Sequence, residues 1–211
     1  MRFWFRYLVQ IVVLAAYFSA AADDSVSFFR AVNVDDDRTV KALLAGGFDP
    51  NSRSPQGQVG LFLAMRDDAP KVAAALLDHP RIQIDATSPA DETPLMMAAL
   101  RGNGEWARRL IDRGALLQRK GWTPLHYAAS GPDLAVVKLL LGRGAAIDAV
   151  SPNGTTPLMM AARYGAQEAA DWLLAQGANA RLRNDKSLNA ADFARAADRQ
   201  ALADKLDAAA R

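Results

Sequence analysis

One short phrase recurs three times in this chain: Thr93-Pro94-Leu95-Met96-Met97-Ala98-Ala99, Thr123-Pro124-Leu125-His126-Tyr127-Ala128-Ala129 and Thr156-Pro157-Leu158-Met159-Met160-Ala161-Ala162. The threonines stand 30 and 33 positions apart. A second landmark keeps step with the first. A Leu-Leu-like pair is followed three places later by glycine at Leu43-Leu44 with Gly47, Leu110-Ile111 with Gly114, Leu140-Leu141 with Gly144 and Leu173-Leu174 with Gly177. Leu76-Leu77 with Pro80 fills the gap, giving steps of 33, 34, 30 and 33. Self-similarity at this period marks a chain built from stacked supersecondary units. One unit cannot bury its apolar face alone, whereas several stacked together share a continuous core.

Each conserved piece of the phrase has a physical task. Threonine accepts a backbone N–H at the start of a first helix, and proline follows where no N–H is needed. The Leu and Ala-Ala positions are the small apolar face that closes on a neighbour. Glycine after the Leu-Leu pair suits the left-handed residue that ends a second helix.

These residues resemble the ankyrin repeat, most closely in Gly121-Trp122-Thr123-Pro124-Leu125-His126-Tyr127-Ala128-Ala129, Val136-Val137-Lys138-Leu139-Leu140 and Gly144-Ala145. The resemblance implies an all-α solenoid of two antiparallel helices and a hairpin-like loop per repeat. It covers essentially all of residues 23–211, read as one repeat domain of six units. The first, from Phe28-Phe29-Arg30-Ala31-Val32 through Gly47, is a degenerate N-terminal cap. The second carries Val59-Gly60-Leu61 in place of Thr-Pro-Leu, so its first helix lacks the threonine cap. The sixth, Asn189-Ala190-Ala191-Asp192-Phe193-Ala194 with a helix toward Leu206, is the C-terminal cap. Two departures predict local differences. Gly114 to Thr123 spans nine residues where Gly144 to Thr156 spans twelve, so the loop there is expected to be stunted. Gly131 sits one place early and is followed by Pro132, so that inter-helix turn is expected to differ.

Residues 1–22 read differently. Arg2 and Arg6 precede an apolar stretch from Tyr7 to Phe18, then Ser19-Ala20-Ala21-Ala22 and the acids Asp23-Asp24. A positive end, an apolar middle and small residues form the order of a cleaved secretory signal. The alternative is an uncleaved membrane anchor, for which twelve apolar residues are short. The whole chain has 25 basic and 23 acidic residues. The leader takes two arginines and no acid, which leaves a neutral mature chain, so net charge does not point to nucleic acid. Export of this kind places the chain in a bacterial periplasm, as a monomer free of the membrane after cleavage.

The chain has no Cys and two His. That excludes disulfides, thiolate metal sites and cysteine nucleophiles, and leaves almost no imidazole for a metal. Gly102-Asn103-Gly104-Glu105-Trp106-Ala107 mimics part of a dinucleotide fingerprint without the strand that motif needs. Asp35-Asp36-Asp37 lacks the spacing of a calcium loop and reads as a helix start. Asn153-Gly154-Thr155 is a glycosylation sequon that reads better as a loop tip. His126 occupies the structural histidine of the ankyrin motif, and His79 precedes Pro80 at a helix end. No catalytic group, cofactor or metal is therefore assigned.

The family mostly binds proteins through loop tips and the concave face of the first helices. Carried over by position, the loops contribute Gln56, Gln58, Glu92, Lys120, Trp122, Asn153, Thr155 and Leu188. The places after Ala-Ala contribute Arg66, Leu100, Arg101, Ser130, Arg163, Tyr164 and Arg195. Arg66, Arg101, Arg163 and Arg195 recur at or beside one register, with Trp122 and Tyr164 between them. Arg, Trp and Tyr are the types enriched at binding hot spots. The strongest candidates are thus Arg66, Arg101, Lys120, Trp122, Asn153, Arg163, Tyr164 and Arg195, lining a groove for an acidic segment of a protein partner. The function this implies is a non-enzymatic binding module that protects or inhibits its partner. The alternatives are a membrane-tethered adaptor and an effector delivered to a host cell.

Overall fold

The computed structural model describes residues 23–211. The leader reading lies outside them. The described residues form helices in pairs, with no strand beyond a single bridge between Arg53 and Val59. None of these helices is long and apolar enough to cross a membrane. The chain divides into two compact units, one ending at Gln83 and the other running Ile84–Arg211. The boundary falls between the second and third repeats of the single domain expected over 23–211. A stack whose repeats touch only their neighbours divides naturally at such a place.

The first unit holds helix α1 over residues 23–33, α2 (Asp37–Ala45), α3 (Gly60–Arg66) and α4 (Pro70–Leu77). The acids Asp35-Asp36-Asp37 are consumed by local structure. Asp36 caps α2 by accepting from the Thr39 N–H at 3.2 Å, and Asp35 accepts from the Val72 N–H at 2.9 Å. The Thr39 contacts hold the Asp36 carboxyl below its ordinary pKa. α3 starts without a side-chain cap, as the missing threonine predicts. Gly60 stands at its first position because the Phe28 ring fills the space; a Cβ there would meet that ring at 2.9 Å. Phe28 in turn packs edge-on to Phe29 and against Phe48.

The second unit holds four pairs: α5 (Pro94–Leu100) with α6 (Gly104–Asp112), α7 (Pro124–Ser130) with α8 (Leu134–Gly142), α9 (Pro157–Arg163) with α10 (Gln167–Ala175), and α11 (Ala190–Arg195) with α12 (Gln200–Ala209). The first helices α5, α7, α9 and α11 pack in a row, and the second helices α6, α8 and α10 pack in a row behind them. The core between the layers is Leu95, Leu125 and Leu158 with the Ala-Ala pairs, closed by Leu110, Leu140, Leu173 and Leu206. Thr93 and Thr156 cap their helices by accepting from the Met96 and Met159 N–H groups. After the second helices Gly114, Gly144 and Gly177 take φ of 93°, 93° and 90°, the left-handed stop the sequence predicts. The Gly102 motif is only a turn: Asn103 caps α6 by accepting from the Trp106 N–H.

Three hairpin fingers in this unit share one frame: Ser88–Glu92, Ser151–Thr155 and 184–188. In each, the first residue's N–H donates to the fifth residue's carbonyl, and the fourth N–H donates to the first carbonyl. The first side chain closes the frame by accepting from the fifth N–H. The fourth residue, Asp91, Gly154 or Ser187, is left-handed. Before α7 the frame is absent, as the nine-residue spacing predicts. Gly121 keeps the left-handed position two places before Thr123, at φ 97°, but the three residues that precede it elsewhere are missing. The turn after α7 also differs as expected, with Gly131 extended at φ −80° and ψ 175°.

Candidate partner-binding groove

Along the face made by the first helices and fingers of the second unit runs a groove with two connected hollows. The upper one, about 350 Å³, is walled by Leu100, Trp122, Tyr127, Ser130, Met160 and Tyr164, and is almost wholly apolar. The lower one, about 560 Å³, shares Trp122, Met160 and Tyr164 and adds Asn153, Arg163, Lys186 and Leu188 among others. The repeat explains this convergence. Tyr127 and Met160 hold the same position of the phrase, as do Leu100, Ser130 and Arg163. Met160 and Tyr164 stand four apart, on one helical face.

Trp122 sits edge-on to His126, with ring centroids 5.2 Å apart. His126 is fully buried and cannot serve as a ligand; its Nδ1 accepts from the Thr123 N–H and its Nε2–H donates to the Thr155 carbonyl at 3.0 Å. Burial holds its pKa below the ordinary value. Tyr127 donates its hydroxyl to Glu92 at 3.1 Å, and Glu92 also accepts from the Ser88 hydroxyl. Burial and the Glu92 carboxylate push the Tyr127 hydroxyl far up, so it stays protonated and fixes the ring as a groove wall. Tyr164 remains 58% exposed with the Arg163 guanidinium stacked 5.2 Å from its ring centre.

The eight sequence-predicted site residues part company here. Trp122, Asn153, Arg163 and Tyr164 come together in the groove. Arg101 is exposed at the end of α5, next to Leu100. Lys120 is exposed in the shortened connection. Arg66 belongs to the first unit, where it pairs with Asp67 and donates to Gln58. Arg195 is not brought to the groove. Asn189 is the cap of α11, so Arg195 falls at the place of Ala162, one before Arg163, and its guanidinium pairs with Asp192 and with Asp207 of α12. Among the described residues Arg101, Lys120 and Arg163 make no ion pair. Sequence reasoning missed Tyr127 and Met160, which sit inside the repeated phrase. Tyr127 stands three places before Ser130, and Met160 three and four before Arg163 and Tyr164, and that spacing was the signal that places them on the groove. Among the described residues no group of three His, Asp or Glu side chains is placed to hold a metal.

Paired helices, capped fingers and an open groove define a helical repeat protein. The family model for ankyrin repeats (three copies) matches residues 28–120 and 114–184. The chain belongs to the ankyrin-repeat family, whose members are protein-interaction modules. It is 37% identical over 126 residues to human neurogenic locus notch homolog protein 4, covering 58% of this chain and 6% of that one. It is 34% identical over 160 residues to a putative ankyrin repeat protein of Rickettsia felis, covering 74% of this chain and 65% of that one. The chain thus spans less than two thirds of these curated relatives. Among solved structures it resembles a chain of the complex of a predatory endopeptidase from Bdellovibrio bacteriovorus with an immunity protein. The TM-score is 0.73 at 25% identity, over 86% of this chain and 97% of that one.

Proposed function

We propose that this chain is a non-enzymatic binding module, exported to the periplasm, that holds a partner protein through the groove of its second unit and restrains it. The carrying observation is the exposed aromatic groove of Trp122 and Tyr164 edged by Arg163. Aromatic and arginine side chains in a partly desolvated cleft are the usual anchors of protein recognition. Arg101, Lys120 and Arg163 lack carboxylate partners, so an acidic stretch of the partner supplies what the groove itself does not. The order of residues 1–22 supports export, because a positive end, an apolar middle and small residues form a cleavable signal. The likeness to a chain from an endopeptidase–immunity protein complex supports restraint of an enzyme as the form the binding takes.

Two measurements test this. The full chain is produced in a bacterium and recovered from the periplasm, and its N-terminus is sequenced. A start near Asp23 is expected, and an intact Met1 in the membrane fraction overturns export. A joint Arg101→Ala, Trp122→Ala, Arg163→Ala and Tyr164→Ala variant is then compared with wild type for co-purifying partners. Loss of a stoichiometric partner is expected; a partner retained in full overturns the groove as the binding face.

A further inference from the structure

The shortened connection before α7 leaves a gap between two fingers that are otherwise built alike. Its walls are Asp91 on one side and Val150, Ser151 and Pro152 on the other, with Arg119, Lys120 and Gly121 between them, around a cavity of about 670 Å³. Each wall is fixed by its own contacts. Arg119 is stapled to the finger of the preceding repeat, donating to the Asp91 carbonyl at 2.5 Å and to its carboxylate at 2.6 Å. The opposite finger is closed on itself by the Ser151, Asn153 and Thr155 hydrogen bonds. The Pro152 ring stands 3.7 Å from where a Gly121 side chain would begin. Trp122, the next residue, lines both hollows of the groove, so one peptide bond joins the floor of the gap to the groove.

We infer that this gap admits a projecting loop of the partner, one that carries a bulky apolar side chain between two carboxylates. The inference rests on the groove reading above and names the shape and chemistry of what enters it. The apolar side chain matches the hollow of Trp122, Tyr127, Met160 and Tyr164. The carboxylates match Lys120, which lines the gap, and Arg163, which lines the lower hollow, neither of which has an ion pair of its own. Asp91 is engaged with Arg119 and Glu92 with Ser88 and Tyr127, and Asp185, which lines the lower hollow, is outnumbered there by Arg163 and Lys186. The gap exists only because three residues are missing, so restoring them fills it.

The test uses the full chain and fluorescein-labelled cyclic peptides displaying Glu-Trp-Glu, Glu-Ala-Glu or Lys-Trp-Lys at the tip of a tight turn. Insertion of Ser-Pro-Asn between Lys120 and Gly121 rebuilds the finger frame in the sequence already used at 151–153. Glu-Trp-Glu is expected to bind wild type at least about tenfold more tightly than the other two, and the insertion is expected to lower that affinity about tenfold. An unchanged thermal midpoint for the insertion variant separates a filled gap from a lost fold. Equal binding of the three peptides overturns the inference. If the insertion variant binds Glu-Trp-Glu as wild type does while Trp122→Ala abolishes binding, the gap is not the way in and the groove reading stands. If neither change matters, both readings fall.

Discussion

His126 stands where Met96 and Met159 stand in the flanking repeats, and the comparison shows what its ring adds. The methionine sulfurs accept from the N–H of Thr93 and Thr156 at 3.4 Å. The histidine does the same for Thr123 through Nδ1 and in addition donates to the Thr155 carbonyl of the next repeat. The Nδ1 bond requires the neutral ring, and burial depresses the folded pKa below the ordinary 6.5, outweighing the Thr155 carbonyl, which favours the charged form. The unfolded chain then takes up the proton more readily, so this stability is complete above about pH 6.5 and is lost as pH falls toward the folded value. His126→Met is expected to cost about 1 kcal/mol at pH 7.5, one buried hydrogen bond, and to shrink the further loss seen at pH 5.5. His126→Ala is expected to cost about 3 kcal/mol, since it leaves a cavity as well as unpaired groups. Urea midpoints at the two pH values decide it, and an undiminished pH effect in the Met variant counts against His126 as its source. At this scale the sequence is readable only to within one place, and one place separates groove from back. The capping Asn189 and Asp192 fix the register of the last repeat and move Arg195 to the Ala162 position. Tyr127 was hidden for the opposite reason: it lies inside a phrase whose other members are core.

Among the elements, the first helices were legible because their caps and their apolar face both sit in the repeated phrase. Their far ends were not, because those are satisfied from the next repeat. Arg199, at the start of α12, places Nη1 3.0 Å from the carbonyls of Ala161, Ala162 and Gly165, closing the end of α9. No periodic signal marks it, since it serves one junction only. Arg199→Ala is expected to lower stability by about 2 kcal/mol, the worth of charged hydrogen bonds to half-buried carbonyls. Gly165 is held by a closer approach: a Cβ there would fall 2.0 Å from the Ala129 carbonyl oxygen and 3.0 Å from the Ala161 Cα. Both neighbours are backbone, so Gly165→Ala forces α7 and α9 to shift and is expected to cost about 3 kcal/mol. Denaturant titration checks both, and a neutral Gly165→Ala would mean that the helix ends separate easily. The stunted finger was visible as a nine-residue spacing, yet spacing carries no information about the walls. That Arg119 fastens itself to Asp91 depends on side chains 28 positions apart.

For the molecule as a whole, counting landmarks yields the number of repeats but not how firmly each is held. The second unit orders its repeats by their neighbours. α7 and α9 each have a first helix packed on both sides, whereas α11 packs on α9 and on its own partner α12. α12 buries Leu202, Ala203 and Leu206 on one face and leaves Gln200, Asp204 and Lys205 in water. In a stack of this kind stability is a sum of repeat and nearest-neighbour contributions, so the end with one neighbour opens at lower cost. Amide hydrogen exchange is therefore expected to be slowest in α7 and α9 and to reach α12 well before them. The groove lies on those same two central helices, which places recognition on the most rigid part of the unit and keeps the ordering cost of binding small. Uniform protection from α5 to α12 would instead mean that the unit opens all at once, and that the groove gains no rigidity from its central position.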